Sequence, residues 1–205
     1  LIRENGIKNG LEGIEVIDTE RIKEIEPFID GIKALWVPES GIIDYKGVTI
    51  KLAELIKEIN PDSDIITNCE AKRFEKGELS LIQTNLGVVT SRYLVFCGGL
   101  HSDRLARKDQ VKLDMRIVGF RGDYYDLTEI GMKKIRNLVY PVPNPEFPFL
   151  GVHFTRLTDG TIECGPNAVF TFKREGYGKT DFNLVDTVEA LLYKGTWKLF
   201  FKHWR

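Results

Sequence analysis

The sequence predicts an α+β fold with a mostly antiparallel sheet. Apolar residues recur at helical spacing over 48–59, short β-patterned segments separated by turn residues fill 71–91, and longer strand patterns follow between 115 and 165. The chain has 205 residues, of which 42% are hydrophobic and 29% are charged. A chain of this size and composition buries a substantial core, so we expect a folded globular protein.

Charge and cysteine content exclude several classes of protein. The 29 basic and 30 acidic residues give a formal net charge of −1, so we expect no nucleic-acid partner. The three cysteines (Cys69, Cys97 and Cys164) are widely spaced and form no C-x-x-C pair, which argues against a disulfide framework or a zinc site. We therefore expect a cytoplasmic protein, and an association with the surface of a membrane stays open.

Both ends of the sequence suggest an internal piece of a longer protein. The chain begins at Leu1 without an initiator methionine, and its apolar C-terminal stretch carries no helix stop signal. The alternative is an ordinary C-terminal helix that docks on its own core.

The N-terminal half contains the clearest helix and a meander. Leu52, Leu55, Ile56 and Ile59 lie on one helical face, and Pro61 closes the run. Short strands are predicted over 71–74, 79–84 and 88–91, with turns at 75–78 and 85–87. Residues 93–97 (YLVFC) are apolar without alternation and lead into a glycine pair, which is typical of a strand buried on both faces.

The C-terminal half is predicted to form the antiparallel sheet. Strands are expected over 115–120, 138–142, 149–155 and 161–165, with a turn at 158–160 between the last two. In 149–155 the side chains of Leu150, Val152 and Phe154 share one face, so His153 is expected on the face opposite this apolar layer. We divide the chain into residues 1–60, 61–113 and 114–205, the last ending in a helical segment.

Seven phrases in a shared order carry a resemblance to a known family. They are SGIIDY at 40–45, CGGLHSDRLA at 97–106, FRGDYY at 120–125, YPVP at 140–143, PFLGVHFTR at 148–156, GPNA at 165–168 and REGY at 174–177. Together they resemble the 2-hydroxyglutarate oxidase branch of the D-amino-acid-oxidase-like flavoproteins. The resemblance implies that 61–113 belongs to an FAD-binding domain and that 1–60 and 114–205 belong to a substrate domain.

The same resemblance implies FAD as the cofactor of the full-length protein. The residues that match the cofactor contacts of the family are Ala71, Cys97, Gly98 and Gly99. Glycine admits close backbone approach, which agrees with this role, although a capped turn before a helix would look the same. The sequence has no G-x-G-x-x-G motif to hold the flavin pyrophosphate, so we expect this 205-residue chain to lack bound FAD.

The substrate implied by the resemblance is a small dicarboxylate, and the electron acceptor is unidentified. Arginine forks bind carboxylates well, and Arg121 and Arg156 are the leading candidates, ahead of Arg174. The further candidate substrate residues are Tyr124, Asn167, Asp44 and Tyr45. A surface position for either arginine, a helix cap for Asp44 and a turn for Asn167 are the structural alternatives.

His153 is the candidate base. Oxidation of a 2-hydroxy acid sends a hydride to the flavin while a base accepts the hydroxyl proton, and imidazole side chains titrate near neutral pH. A structural or carboxylate-binding histidine is the alternative, while His101 is expected to stabilise the glycine turn or face the cofactor. The function expected is oxidation of 2-hydroxyglutarate to 2-oxoglutarate; the alternatives are an amine or amino-acid oxidase and a flavin-free remnant without activity.

Overall fold

The structure is a computed structural model that describes residues 1–146 and 149–203. Pro148, which opens one of the seven phrases, lies outside the described residues. The α-helices among the described residues are α1 (Ile2–Lys8), α2 (Thr19–Ile25), α3 (Tyr45–Ile59), α4 (Ser102–Lys108), α5 (Glu129–Met132), α6 (Leu184–Leu191) and α7 (Lys194–Lys202). The strands are β1 (Glu15–Asp18), β2 (Lys33–Trp36), β3 (Ala71–Glu75), β4 (Ser80–Thr84), β5 (Gly87–Ser91), β6 (Phe120–Asp126), β7 (His153–Arg156) and β8 (Ile162–Phe170).

The strands form three small sheets. β1 pairs with β2, β3 to β5 form a meander, and the third sheet has the order β6-β8-β7. The strands of the first two sheets pair antiparallel, and so do β7 and β8. The α+β class with mostly antiparallel sheets is therefore confirmed.

The chain divides into two compact units, each built from two separate stretches of sequence. The first unit is Leu1–Leu55 with Gly122–Ala168, and the second is Ile56–Arg121 with Val169–Arg205. Strands β6 and β8 each cross from one unit to the other along the chain. These limits differ from the three predicted segments, and the assignment of segments to a flavin domain and a substrate domain stays a prediction.

The two units have different interiors. In the first unit Ile14, Ile22, Ile135 and Ile162 are the buried hydrophobic residues among those described. In the second unit most of the buried side chains are polar or charged, including Asp103 and Arg174, and Ala190 is the buried hydrophobic residue among those described. The second unit is therefore organised around polar contacts.

Helix α3 and the meander agree with the sequence. The helix ends at Ile59 as predicted and begins at Tyr45, because the carboxylate of Asp44 accepts a hydrogen bond of 2.9 Å from the backbone N–H of Lys46. Strands β3, β4 and β5 lie within a residue or two of their predicted limits, and Gly87 takes the positive φ of +138° that the last turn requires.

Two predicted strands are wrong. Residues 93–97 are irregular, and Tyr93 and Val95 are 86% and 82% exposed. A strand buried on both faces needs hydrogen-bonded neighbours, and none of the described strands pairs with this segment. The strand predicted over 115–120 lies at Phe120–Asp126 instead. The backbone before it is bonded elsewhere: the N–H of Ile117 donates to Asp103 at 3.1 Å and the carbonyl of Met115 accepts from Arg107 at 3.2 Å.

The strands around His153 are shifted. The segment predicted over 138–142 contributes a single bridge, from Val139 to Phe154. Strand β7 starts only at His153, and Leu150 and Val152 are 63% and 51% exposed. The expected apolar layer is therefore wrong for these two residues, and His153 itself is buried, with 6% of its surface exposed.

Candidate active site

The histidine cluster, which we define as Tyr124, Tyr140 and His153, lies in the first unit. The Tyr140 ring stacks on the His153 ring with centroids 4.5 Å apart and planes at 27°, and the Tyr124 ring meets it edge-on at 6.3 Å. His153 lies opposite Gly165 in the β7–β8 register. A Cβ at Gly165 would come within 2.6 Å of the Tyr124 ring, so glycine at this position makes room for the tyrosine.

The hydrogen bond of His153 determines which ring nitrogen carries its proton. Nδ1 lies 2.9 Å from the carbonyl oxygen of Gly151. A carbonyl oxygen only accepts, so Nδ1 carries the hydrogen, and in the neutral ring Nε2 has the free lone pair. The neutral imidazole is therefore able to accept a proton at Nε2.

The surroundings of Tyr124 shift the pKa of its hydroxyl group. Burial raises the pKa of the Tyr124 hydroxyl, and the nearby Glu163 and Tyr140 raise it further. Since phenols ordinarily titrate near pH 10, Tyr124 stays protonated at neutral pH, and its hydroxyl group is able to donate a hydrogen bond. Glu163 lies on β8 opposite Thr155.

The two leading arginines have different surroundings. Arg156 donates a hydrogen bond of 3.1 Å to the carbonyl of Ile135, and it lies three residues after His153, on the opposite face of β7 by strand alternation. The same alternation puts Arg121 and Tyr124 on opposite faces of β6. Arg121 donates a hydrogen bond of 2.7 Å to the carbonyl of Gly178 in the second unit.

The remaining predicted substrate residues lie in the first unit. Asp44 caps α3, the structural alternative considered for it, and Tyr45 is 77% exposed in the first turn of that helix. Asn167 is exposed on β8, two residues after Gly165. Their contact with substrate stays a prediction.

The predicted cofactor residues all lie in the second unit. Cys97 is exposed, and Gly98 and Gly99 lead into a 3-10 turn followed by α4. Ala71 is the first residue of β3. The segment that leads to the glycine pair packs against this strand, because the ring of Phe96 lies 4.5 Å from that of Phe74. The structure thus places Ala71 and the glycine pair in the same compact unit.

Five charged residues of the second unit form what we call the ion cluster: Asp103, Arg104, Arg174, Asp186 and Glu189. The Arg174 side chain is 5% exposed and pairs with Asp103, which is 4% exposed. Arg104 pairs with Asp186 and, at 2.7 Å, with Glu189. Arg174 also donates a hydrogen bond of 2.6 Å to the carbonyl of Leu100, next to Gly99. The cluster therefore ties the glycine turn to helix α6.

The ion cluster shifts the pKa values of its acids. Burial raises the pKa of the Asp103 carboxyl, but hydrogen bonds from Arg174 and from the backbone of Ile117 outweigh it and leave the pKa lowered. Burial likewise raises the pKa of Asp186, and hydrogen bonds from Arg174 and Arg104 leave it lowered. Both carboxyls are therefore ionised at neutral pH.

Sequence reasoning missed Tyr140 and most of the ion cluster. The sequence placed Arg174 behind Arg121 and Arg156 as a substrate ligand, because its neighbours in sequence are polar. In the structure Arg174 is buried, with only 7% of its surface exposed. A usable signal was present, because Asp186 and Glu189 stand three apart on α6 and Asp103 and Arg107 stand four apart on α4. Tyr140 belongs to a family phrase but carried no chemical signal of its own.

Comparison with known proteins identifies the family. The family model described as FAD dependent oxidoreductase (DAO) matches residues 2–194. The chain belongs to this family. Its similarity to an L-2-hydroxyglutarate dehydrogenase from Indibacter alkaliphilus is 40% identity over 204 residues, covering 98% of this chain and 51% of the relative. The mitochondrial L-2-hydroxyglutarate dehydrogenase of Homo sapiens is 38% identical over 209 residues, covering 96% of this chain and 45% of the relative.

Two solved structures have a similar fold. An L-α-glycerophosphate oxidase from Mycoplasma pneumoniae with FAD bound superimposes with a TM-score of 0.71 at 23% identity, covering 97% of this chain and 51% of that one. An L-proline dehydrogenase from P. horikoshii gives a TM-score of 0.69 at 21% identity, covering 91% of this chain and 49% of that one. This chain thus spans about half the length of the relatives it matches.

The backbone of the glycine turn has room for the close approach of a cofactor, which a member of this family requires. Gly99 has a φ of +50°, and nothing lies within 4 Å of the position that a Cβ would take. The backbone there is open to close approach by a ligand, and Arg174 holds it through the Leu100 carbonyl.

No helix among the described residues is long and apolar enough to cross a membrane, and no group of three or more His, Cys, Asp or Glu there is arranged to hold a metal ion.

Proposed function

We propose that the protein to which this chain belongs is an FAD-dependent enzyme that oxidises 2-hydroxyglutarate to 2-oxoglutarate, with His153 as the base. The family match and the names of relatives at 37–40% identity support the reaction. The observation that supports the base is the Nδ1 hydrogen bond of His153 to the Gly151 carbonyl, which leaves Nε2 as an acceptor.

The proposed roles divide the reaction among named atoms. FAD, when bound at the proposed contacts Ala71, Cys97, Gly98 and Gly99, would supply the acceptor for the hydride that leaves the substrate carbon carrying the hydroxyl group. His153 Nε2 accepts the hydroxyl proton, so that a carbonyl group forms as the C–H and O–H bonds break. The Tyr124 hydroxyl, kept protonated by its raised pKa, donates a hydrogen bond to an oxygen of the substrate.

The structure supports some of the proposed binding residues more strongly than others. Arg121, Asn167 and Tyr45 are retained as candidates for the carboxylates of the substrate. We assign a structural role to Asp44, which caps α3, and retain Arg156 as a second arginine candidate, because Arg121 and Arg156 each donate one hydrogen bond to a backbone carbonyl. Ala71, Cys97, Gly98 and Gly99 are the proposed cofactor contacts, with the open backbone at Gly99 as their support.

Anaerobic flavin reduction by the full-length protein tests this function. Addition of 2-hydroxyglutarate should bleach the flavin absorbance, and the variant His153→Asn should bleach it roughly 10²- to 10⁴-fold more slowly. His203→Asn is the matched control, since His203 lies at the end of α7 and has no proposed role. Bleaching by amines or amino acids but not by 2-hydroxyglutarate would overturn the proposal in favour of an amine or amino-acid oxidase.

Location and electron acceptor are also proposals. We keep the cytoplasm as the predicted location, although relatives from Homo sapiens and Nematostella vectensis are named as mitochondrial proteins. The reaction also requires an electron acceptor, for which the candidates are oxygen and a quinone. Stopped-flow reoxidation with each of the two compounds would identify it.

A further inference from the structure

Tyr140 stands on a segment whose backbone is fixed at several points. The buried carboxylate of Glu26 accepts hydrogen bonds from the backbone N–H groups of Arg136 at 3.0 Å and Asn137 at 2.5 Å. Val139 exchanges two backbone hydrogen bonds with Phe154 of β7, at 3.1 and 2.9 Å. All of these residues belong to the first unit. The hydrogen bonds hold the backbone that precedes Tyr140 next to β7.

The Tyr140 ring limits the movement of the His153 ring. The two rings stack at 4.5 Å, while the edge contact with Tyr124 restricts the imidazole from another direction. The Tyr140 hydroxyl lies 3.4 Å from the Oγ1 of Thr155, within reach of a weak hydrogen bond, and the stacked ring itself makes the contact with the imidazole. Rotation of the imidazole about its Cβ–Cγ bond would have to displace an aromatic ring.

Gly151 completes the arrangement. A Cβ at this residue would lie 2.6 Å from Pro141, directly after Tyr140 in sequence. The absence of a side chain at Gly151 therefore lets its backbone pass close to the Tyr140 segment. Its carbonyl oxygen then reaches the Nδ1 of His153.

We infer that Tyr140 is a positioning residue, whose ring holds the His153 imidazole in the tautomer with hydrogen on Nδ1 and the lone pair on Nε2. A neutral imidazole has two tautomers, and the hydrogen bond made by one nitrogen decides which is present. In the wrong tautomer Nε2 carries a hydrogen and is unable to accept a proton. The inference rests on the proposed function, and it adds a residue that acts on the base and not on the substrate.

Nitrogen NMR of the 205-residue chain tests the inference without cofactor or substrate. The sequence contains three histidines, so ¹⁵N-histidine labelling gives three ring systems, which His101→Gln and His203→Gln assign by removing two of them. We expect the Nδ1–H tautomer at His153 in the wild type and in Tyr140→Phe, which keeps the stacked ring. Tyr140→Leu should shift His153 to a mixture of the two tautomers.

Two results would overturn the inference: a wild-type His153 in the Nε2–H tautomer, or an Nδ1–H tautomer that persists in Tyr140→Leu. A wild-type circular-dichroism spectrum with a cooperative melting transition shows that a variant is folded, since His101 and His203 both lie in the second unit and do not report on the first. If Tyr140→Leu does not fold, Tyr140→Trp tests the same point, since a stacked indole should preserve the tautomer and its loss would contradict the inference.

Kinetics of the full-length enzyme provide a second reading. Relative to Tyr140→Phe, Tyr140→Leu should lower kcat about ten-fold and change KM less than two-fold, because a misplaced base slows proton transfer without weakening substrate binding. An increase in KM at constant kcat would instead place Tyr140 in substrate binding and refute the positioning role. Failure of the proposed function would look different: the wild-type flavin would not be reduced by 2-hydroxyglutarate, whatever the tautomer of His153.

Discussion

Replacing Arg174 by methionine tests whether this arginine is structural. Its guanidinium donates to Asp103, to the Leu100 carbonyl at 2.6 Å and to Glu189 at 3.5 Å, and its side chain is 5% exposed. Methionine fills a similar length of apolar space and removes all of these bonds. The Asp103 carboxylate stays buried, with Arg107 at 3.3 Å and the Ile117 N–H at 3.1 Å as its remaining partners.

The expected loss of stability is large. Removing one partner of a buried ion pair costs about 3–5 kcal/mol in free energy of unfolding, because the other charge stays buried and loses its main compensating partner. For a chain of this size each kcal/mol lowers the melting temperature by about 2–4 °C, so the expected shift is on the order of 6–20 °C. Arg21→Met is the matched control: Arg21 and Glu24 are 59% and 63% exposed, and such pairs contribute about 0–1 kcal/mol.

Thermal and urea denaturation followed by circular dichroism measure both variants. Combining Arg174→Met with Asp103→Asn completes a double-mutant cycle, and we expect the double variant to lose clearly less stability than the sum of the two single losses. The reasoning is refuted if Arg174→Met is no more destabilising than Arg21→Met. A stable Arg174→Met with a raised KM in the full-length enzyme would return Arg174 to the substrate site.

Four further predictions follow from charge, burial and motif. The lowered pKa values of Asp103 and Asp186 stabilise the fold fully above their ordinary value of 3.8, so the urea midpoint should stay level above about pH 5 and fall as the pH drops below 4. The purified 205-residue chain should show no stoichiometric flavin spectrum, and a yellow preparation would contradict this. Arg121→Lys in the full-length enzyme should raise KM roughly ten-fold through loss of the planar fork, whereas an unchanged KM together with an unchanged melting temperature would refute the role of Arg121 in binding. Thr171→Val should stabilise the chain by about 1 kcal/mol, because the Thr171 hydroxyl is buried without a hydrogen-bond partner among the described residues; a lower melting temperature would contradict this reason.

Elements determined by local interactions could be predicted from the sequence. Helix α3 has an apolar face and a capping aspartate within its own stretch of chain, and the β3–β5 meander is fixed by turns between neighbouring strands. The family phrases also pointed to the strand that carries His153 and to the glycine turn, which the structure presents with an open backbone at Gly99.

The wrong strand predictions arose where contacts between residues distant in sequence determine the structure. Whether residues 93–97 become a strand depends on neighbouring strands, which the apolar pattern does not reveal. The segment before β6 is held by Asp103, fourteen residues away from Ile117, and alternation alone gave no sign of it. His153 was expected on the face away from the apolar layer, but its burial comes from Tyr124 and Tyr140, whose rings reach it from other segments. Long-range aromatic and ionic contacts of this kind leave little trace in a local pattern.

The interleaving of the two compact units has a consequence for how the chain acquires its structure during synthesis. The first unit needs the stretch Gly122–Ala168 to complete it, and the second needs the stretch that begins at Val169. When synthesis has reached Arg121, the nascent chain therefore contains only part of each unit, and neither unit is complete. Because contacts between distant stretches form slowly, we expect both units to fold late and nearly together, with exposed apolar surface in the interval. For the same reason, no single cut between Leu55 and Ala168 would yield two halves that each contain one whole unit.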